Sequence, residues 1–123
     1  MFDNVVTLIE KKSKFIAHLF KCTNETQIAD ALNLLKSQHK KATHICYAYR
    51  LTTPFAEKAC DDGEPSGTAG RPILSVLQKR DVQNACIFVV RYFGGIKLGA
   101  GGLVRMYSKA AGALLTTNPS GEK

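Results

Sequence analysis

The chain has 123 residues, 45% of them hydrophobic and 22% charged, which is enough for one globular domain with its own core and ordinary for a soluble protein. Seventeen Lys and Arg against ten Asp and Glu give a formal charge of +7, which favours anionic partners such as RNA, a ribosome or an acidic protein face. No apolar run reaches the length of a membrane span and the N-terminus lacks a signal-peptide core, so no membrane association is expected and the expected location is the cytoplasm.

Residues 1–12 form a lead-in with no assigned structure. Ser13 to Cys22 (SKFIAHLFKC) reads as a strand. Asn24 then offers a helix cap, with Gln27 three positions on as its capping-box partner, and Ile28, Ala31, Leu32 and Leu35 fall on one helical face. Lys36, Lys40 and Lys41 complement the negative end of that helix's dipole. His44 to Leu51 alternates, with Ile45, Tyr47, Tyr49 and Leu51 on one side. The two tyrosines fit either a base-stacking platform or a core face. Thr52-Thr53-Pro54 breaks the pattern, and Glu57 to Asp61 is expected to return antiparallel.

The segment from Asp61 to Pro72 (DDGEPSGTAGRP) places Asp61, Asp62 and Glu64 before a Ser, Thr and Gly turn containing Ser66 and Thr68. Close carboxylates can hold Mg²⁺ or perform acid–base chemistry, but Asp-Gly turns carry them for conformational reasons too. With no His or further acid nearby in sequence, the turn reading is preferred and no metal site is assigned. Arg71-Pro72 looks like a helix start, with Ile73, Leu74 and Leu77 as its apolar face and an end near Arg80-Asp81.

Cys86 to Phe93 is apolar apart from Arg91, as expected of a strand in a sheet interior. Gly94, Gly95, Gly99, Gly101 and Gly102 follow within nine positions and predict an irregular turn. From Leu103 the period becomes helical, with Leu103, Val104, Tyr107, Ala111 and Leu114 on one face and Arg105, Ser108 and Lys109 on the other. Between Arg91 and Lys109 there are four cations and no acid. A glycine-dense turn before a helix N-terminus suits a phosphate or carboxylate. It equally suits a tight strand-to-helix connection, and neither a Walker A nor a dinucleotide fingerprint is complete here.

Cys22, Cys46, Cys60 and Cys86 are widely spread, which argues against a zinc ribbon, a redox pair and a disulfide framework and for reduced thiols used as small hydrophobes. Ser66 and Thr68 are nucleophile candidates and His44 is a candidate base, but no nucleophile–base pair and no cofactor motif is identifiable.

SKFIAH at 13–18, HICYAYR at 44–50, DDGEPSGTAGRPIL at 61–74 and RYFGGIKLGAGGLVR at 91–105 resemble, in this order, the N-terminal domain of the Impact/YigZ family. The resemblance implies an α+β fold, a two-layer βαββαβα domain of the ribosomal protein domain 2-like kind with helices on one face of a mixed sheet. It places the domain at 13–116 and a flexible tail at 117–123. Eukaryotic members regulate translation by restraining the starvation-responsive initiation-factor kinase, and nucleic-acid or ribosome binding is the usual suggestion for bacterial ones. GAGGLVR at 99–105 is similar to the bacterial branch, whose members usually continue into a ferredoxin-like second domain. The sequence lacks such a domain and is read as a single-domain member or a fragment.

The combined expectation is a non-enzymatic, translation-associated binding module that contacts the ribosome, RNA or a translation-regulatory protein. Arg71, Arg91, Lys97 and Arg105 would meet the anionic partner, with Gly94, Gly95, Gly99, Gly101 and Gly102 allowing close backbone approach. Asp61, Asp62, Glu64, Ser66 and Thr68 would form a supporting acidic turn that orients the arginines. The competing expectation is an enzyme acting on a phosphorylated or nucleotide-like substrate, with a metal at the acidic turn.

Overall fold

The computed structural model describes residues 1–116. Five strands and three helices follow in the order β1 (Asn4–Glu10), β2 (Ser13–Lys21), α1 (Glu25–Gln38), β3 (His44–Thr52), β4 (Phe55–Cys60), α2 (Gly70–Lys79), β5 (Ala85–Tyr92) and α3 (Gly99–Thr116). The strands form a single sheet in the order β1-β2-β5-β3-β4, and every neighbouring pair is antiparallel.

The α+β class agrees with expectation, while two of its details are corrected. The sheet is antiparallel throughout instead of mixed. Strands β2 and β3 are joined by a helical crossover and would be parallel if adjacent, but β5 lies between them and runs opposite to both. Helices also cover both faces. Phe15, Ala17, Cys46, Ala48, Ile87 and Val89 pack with α2 and α3, while Ile45, Tyr49, Cys86, Phe88 and Val90 pack with Ile28, Ala31 and Leu35 of α1. Three layers result. The unbroken apolar run of β5 is the cause, because a strand apolar on both sides must be covered on both. Burial of each of Phe88, Val89 and Val90, all fully enclosed, stabilises the fold by about 1.5–3 kcal/mol.

The lead-in carries the edge strand β1. It turns into β2 through Lys11 and Lys12, both with positive φ (49° and 66°), the backbone of a two-residue hairpin turn. Val6 and Leu8 of β1 pack onto the α3 side of the sheet, and Asn4 Nδ2 donates to the Leu114 carbonyl at 3.0 Å. Helix α1 starts as its cap predicts: Asn24 Oδ1 accepts from the Gln27 N–H at 2.9 Å. The Gln27 side chain reaches one residue further back, accepting from the Thr23 N–H at 2.7 Å. Tyr49 is 5% exposed and stacks on Tyr47 within the α1-side core, so this tyrosine pair is core rather than an open platform.

Helix α3 begins at Gly99, four residues before the expected start at Leu103, so part of the predicted irregular turn is helical. Its buried side is Gly102, Leu103, Met106, Tyr107, Ala110, Ala111 and Leu114. Val104, expected on that side, is 38% exposed. Expectations for the tail at 117–123 lie outside the described residues.

Candidate functional site

Arg91 is the sole charged residue of β5, and the sheet register sets it between Phe15 on β2 and His44 on β3. Its side chain shares the α2/α3 face and is buried, with the residue 6% exposed. A cation removed from water needs a partner. Arg91 Nη1 donates to both carboxylate oxygens of Glu64, at 3.0 and 2.8 Å, and Nη2 donates to Ser13 Oγ at 3.3 Å. The Tyr107 hydroxyl donates to Glu64 Oε2 from α3, and burial pushes that phenol above its ordinary pKa. The rings of Phe15 and Phe93 each lie 5.5 Å from the guanidinium carbon. Arg91 Nε–H is buried and has no partner among the described residues.

The acidic turn is a scaffold for this pair. Asp61 is the cap of α2, supplied from nine residues upstream because Ala69, at the N-cap position, makes no side-chain bond. Its Oδ1 accepts from the N–H groups of Ala69 (3.1 Å) and Gly70 (2.8 Å), and its Oδ2 accepts from Gly67 (2.9 Å). Burial works to raise the Asp61 pKa, but these three N–H groups and the charge of Arg71 hold it below its ordinary value. Asp62 Oδ2 accepts from the Ile45 N–H at 2.6 Å and ties the turn to β3. The Asp62 carbonyl accepts from His44 Nδ1 at 2.7 Å, which fixes a hydrogen on that nitrogen. His44 Nε2 is thereby turned to Glu64 Oε1, 3.5 Å away. Both aspartates are thus engaged by backbone N–H groups, an arrangement for holding a turn and a helix start rather than for cupping a metal. Among the described residues no group of three His, Cys, Asp or Glu side chains could hold a metal ion.

Beside this centre lies a cleft of about 380 Å³. It is lined by His44, Glu64, Arg91, Phe93 and Lys97, and by Gly99 and Ala100 at the start of α3. The first turn of α3 holds no acidic residue to neutralise its exposed N–H groups.

The predicted site residues therefore separate into groups. Glu64, Arg91, Lys97 and Gly99 come together at the cleft, whereas Arg71, Gly94, Gly95, Gly101, Gly102 and Arg105 do not line it. Arg91 is a buried ion-pair partner of Glu64, not an exposed contact for phosphates. Gly94 is explained by packing: a Cβ there would fall 2.1 Å from the Lys12 backbone. Arg105 and Arg71 are exposed, Ser66 is exposed, and the Thr68 hydroxyl is spent on the Pro65 carbonyl at 2.6 Å. Cys46 donates its thiol to the Asp61 carbonyl at 3.0 Å, and burial pushes that thiol well above its ordinary pKa, which suits a structural role.

Two cleft residues escaped the sequence reading in their actual role. His44 was a candidate base without a partner, and its approach to Glu64 arises only from strand register and turn geometry. Phe93 is 46% exposed at the strand's end, where an apolar continuation of β5 was expected.

A family model described as the Impact N-terminal domain matches residues 11–115. The chain is 50% identical over 104 residues to the IMPACT family member YvyE of Bacillus subtilis, covering 84% of this chain and 48% of that protein. A crystal structure described as that of a hypothetical protein superposes with a TM-score of 0.82 at 36% identity, covering 95% of this chain and 59% of the other. The two-domain translational regulator Yih1 superposes with a TM-score of 0.61 at 29% identity, covering 94% and 45%. The chain spans about half the length of the curated bacterial relatives it matches. By the family match, the identity to YvyE and the shared fold, this chain belongs to the Impact family through its N-terminal domain.

Proposed function

We propose that this domain is a non-enzymatic binding module of translation control that docks on an anionic face of the ribosome through the start of α3. The observation that supports it best is the charge of this surface. Lys97, Arg105 and Lys109 are exposed on or beside a helix whose first turn carries no acid, in a chain of charge +7. A relative of the same fold is described as a translational regulator, which gives the surface its context. The working location in this reading is the cytoplasm, and RNA phosphates are the groups met.

The test is co-sedimentation of the purified chain with ribosomes across a salt series, with free RNA as competitor. Contacts to phosphates release counterions, so association should weaken steadily as salt rises. The Lys97→Glu, Arg105→Glu double variant should lose association while keeping its melting temperature. Undiminished association of that variant would overturn the proposal.

A further inference from the structure

We infer that the outer edge of β1 is a self-association surface, on which a second copy of this chain lays its own β1 antiparallel about a twofold axis at Thr7. The inference goes beyond the ribosome-facing reading and does not rest on it, because no residue of the α3 start takes part. Strand β1 is one edge of the sheet, and among the described residues no strand pairs with its outer side. The two-residue turn makes Glu10 and Ser13 a hydrogen-bonded pair, so alternation turns Leu8, Val6 and Asn4 to β2 as well. The backbone groups of Val5, Thr7 and Ile9 therefore point outward. In keeping with that phase, Val5 N–H donates to the neighbouring Asn4 Oδ1 at 3.0 Å, an exposed local bond, and not to β2.

Such an edge is a template for pairing unless proline, charge or shortness blunts it. The opposite edge, β4, is blunted: Pro54 precedes it, and Glu57 and Lys58 stand in the middle of its six residues. Val5 to Ile9 (VVTLI) carries no charge, glycine or proline, and its residues favour strands. Val5 and Ile9 are 50% and 67% exposed. They lie on the α1 side of the sheet, yet neither belongs to the core beneath α1.

A second copy fits this edge because the strand is complementary to itself. Pairing about Thr7 sets Val5 opposite Ile9 of the other copy on one face and Val6 opposite Leu8 on the other. The outward groups of Val5, Thr7 and Ile9 then complete each other's ladder bonds. The same register brings Asp3 of one copy to Lys11 of the other. Asp3, Lys11 and Lys12 are exposed, and none has an ion-pair partner among the described residues. Asp3 spends Oδ2 on the Lys21 N–H at 2.8 Å and keeps its charge. No like charges meet, since Glu10 falls opposite Asn4. The neighbouring registers that use the same outward groups are poorer, because one sets Ile9 against Asp3 and the other sets Val5 against Lys11. One strand pair is smaller than a standard interface, so the association is a concentration-dependent equilibrium.

The experiment is sedimentation equilibrium of the purified chain over a concentration series, with amide hydrogen exchange measured at both ends of the series. The mass should rise from monomer toward dimer. Exchange at Val5, Thr7 and Ile9 should slow by about tenfold or more, while the outer edge of β4 stays unchanged. Val5→Glu and Ile9→Lys should each weaken association by about tenfold, because each sets a charge against an apolar residue twice in the symmetric pair. The Val5→Glu, Ile9→Lys double variant should recover it, since the twofold sets each new acid opposite a new base. Both positions are exposed, and an unchanged melting temperature certifies the fold of every variant. A chain that stays monomeric throughout, a dimer that leaves β1 unprotected, or a double variant no better than the single ones overturns the inference. Protection of β1 that appears on adding ribosomes and not on raising concentration gives the edge to another partner and overturns it too.

Discussion

Arg91 and Glu64 stand 27 residues apart in the chain and meet as a bidentate pair, with side chains 7% and 3% exposed. The desolvation of two such ions offsets most of their attraction, so the pair adds little net stability, yet either ion alone is costly. Arg91→Ala should therefore destabilise the domain by about 3–5 kcal/mol, whereas the double variant Glu64→Leu, Arg91→Met should cost markedly less. Urea midpoints at unchanged slope measure both. Equal losses in the single and double variants would sink this account. Loss of binding in Arg91→Ala would for the same reason report unfolding and not a missing ligand contact.

How much of this was legible beforehand depends on the range of the interactions. Alternation in HICYAYRL, the Asn24 cap and the apolar run of β5 are local signals, and the corresponding elements stand where those signals put them. Strand β1 was hidden because its turn uses Lys11-Lys12, residues that carry none of the usual Asn-Gly chemistry for positive φ. The start of α3 was hidden because glycines oppose a helix in isolation, and burial of Gly102, Leu103 and Met106 on the helix's inner side is a tertiary contribution that no local pattern shows. At the site, a lone arginine inside an apolar strand reads as a contact for an external anion, whereas its burial in the sheet gives it an internal acid instead. Which acid could not be read locally, since Asp61 and Asp62 turn to backbone N–H groups and only Glu64 turns inward.

Asp61 makes the cap of α2 testable. Three N–H bonds to one carboxylate at a helix start predict a loss of about 2 kcal/mol for Asp61→Ala, and a smaller loss for Asp61→Asn, which keeps an acceptor. Its pKa is lowered on folding, so its contribution is present above the ordinary carboxylate value of 3.8 and disappears as pH falls through the lower folded value. Denaturation profiles of wild type and Asp61→Ala should converge in strong acid. Parallel profiles down to the lowest pH would show that the carboxylate's charge is not what caps the helix.

His18 governs a different pH window. Its residue is 6% exposed, Nδ1 has no partner among the described residues, and Phe2 packs on its ring at 4.8 Å. Burial, aided by the nearby His39, lowers its pKa from 6.5 to about 4. The unfolded chain thus takes up a proton near pH 6.5 and the folded chain only near 4. Stability from neutral His18 is complete above 6.5, falls as pH drops between these values and is constant below them, with a loss of about 2 kcal/mol by pH 5. His18→Leu should flatten the fall in the urea midpoint between pH 7 and pH 5. An unchanged slope in that variant would assign the acid sensitivity elsewhere.

The glycines of the α3 approach should divide by mutation as they divide by geometry. At Gly94 an added Cβ collides with the Lys12 carbonyl group at 2.1 Å, and backbone cannot give way as a side-chain tip can. Gly94→Ala should cost about 3 kcal/mol or more and disturb the β1–β2 turn along with the β5 end. Gly101 has nothing within 4 Å of its added Cβ, lies inside α3 and has no positive φ. Alanine there gains helix propensity, so Gly101→Ala should stabilise the domain by about 0.5–1 kcal/mol. Thermal melts of the two variants settle the division directly. A destabilised Gly101→Ala would mean that the helix start needs glycine for its own backbone, whereas a stabilised one shows that this glycine is dispensable to the fold.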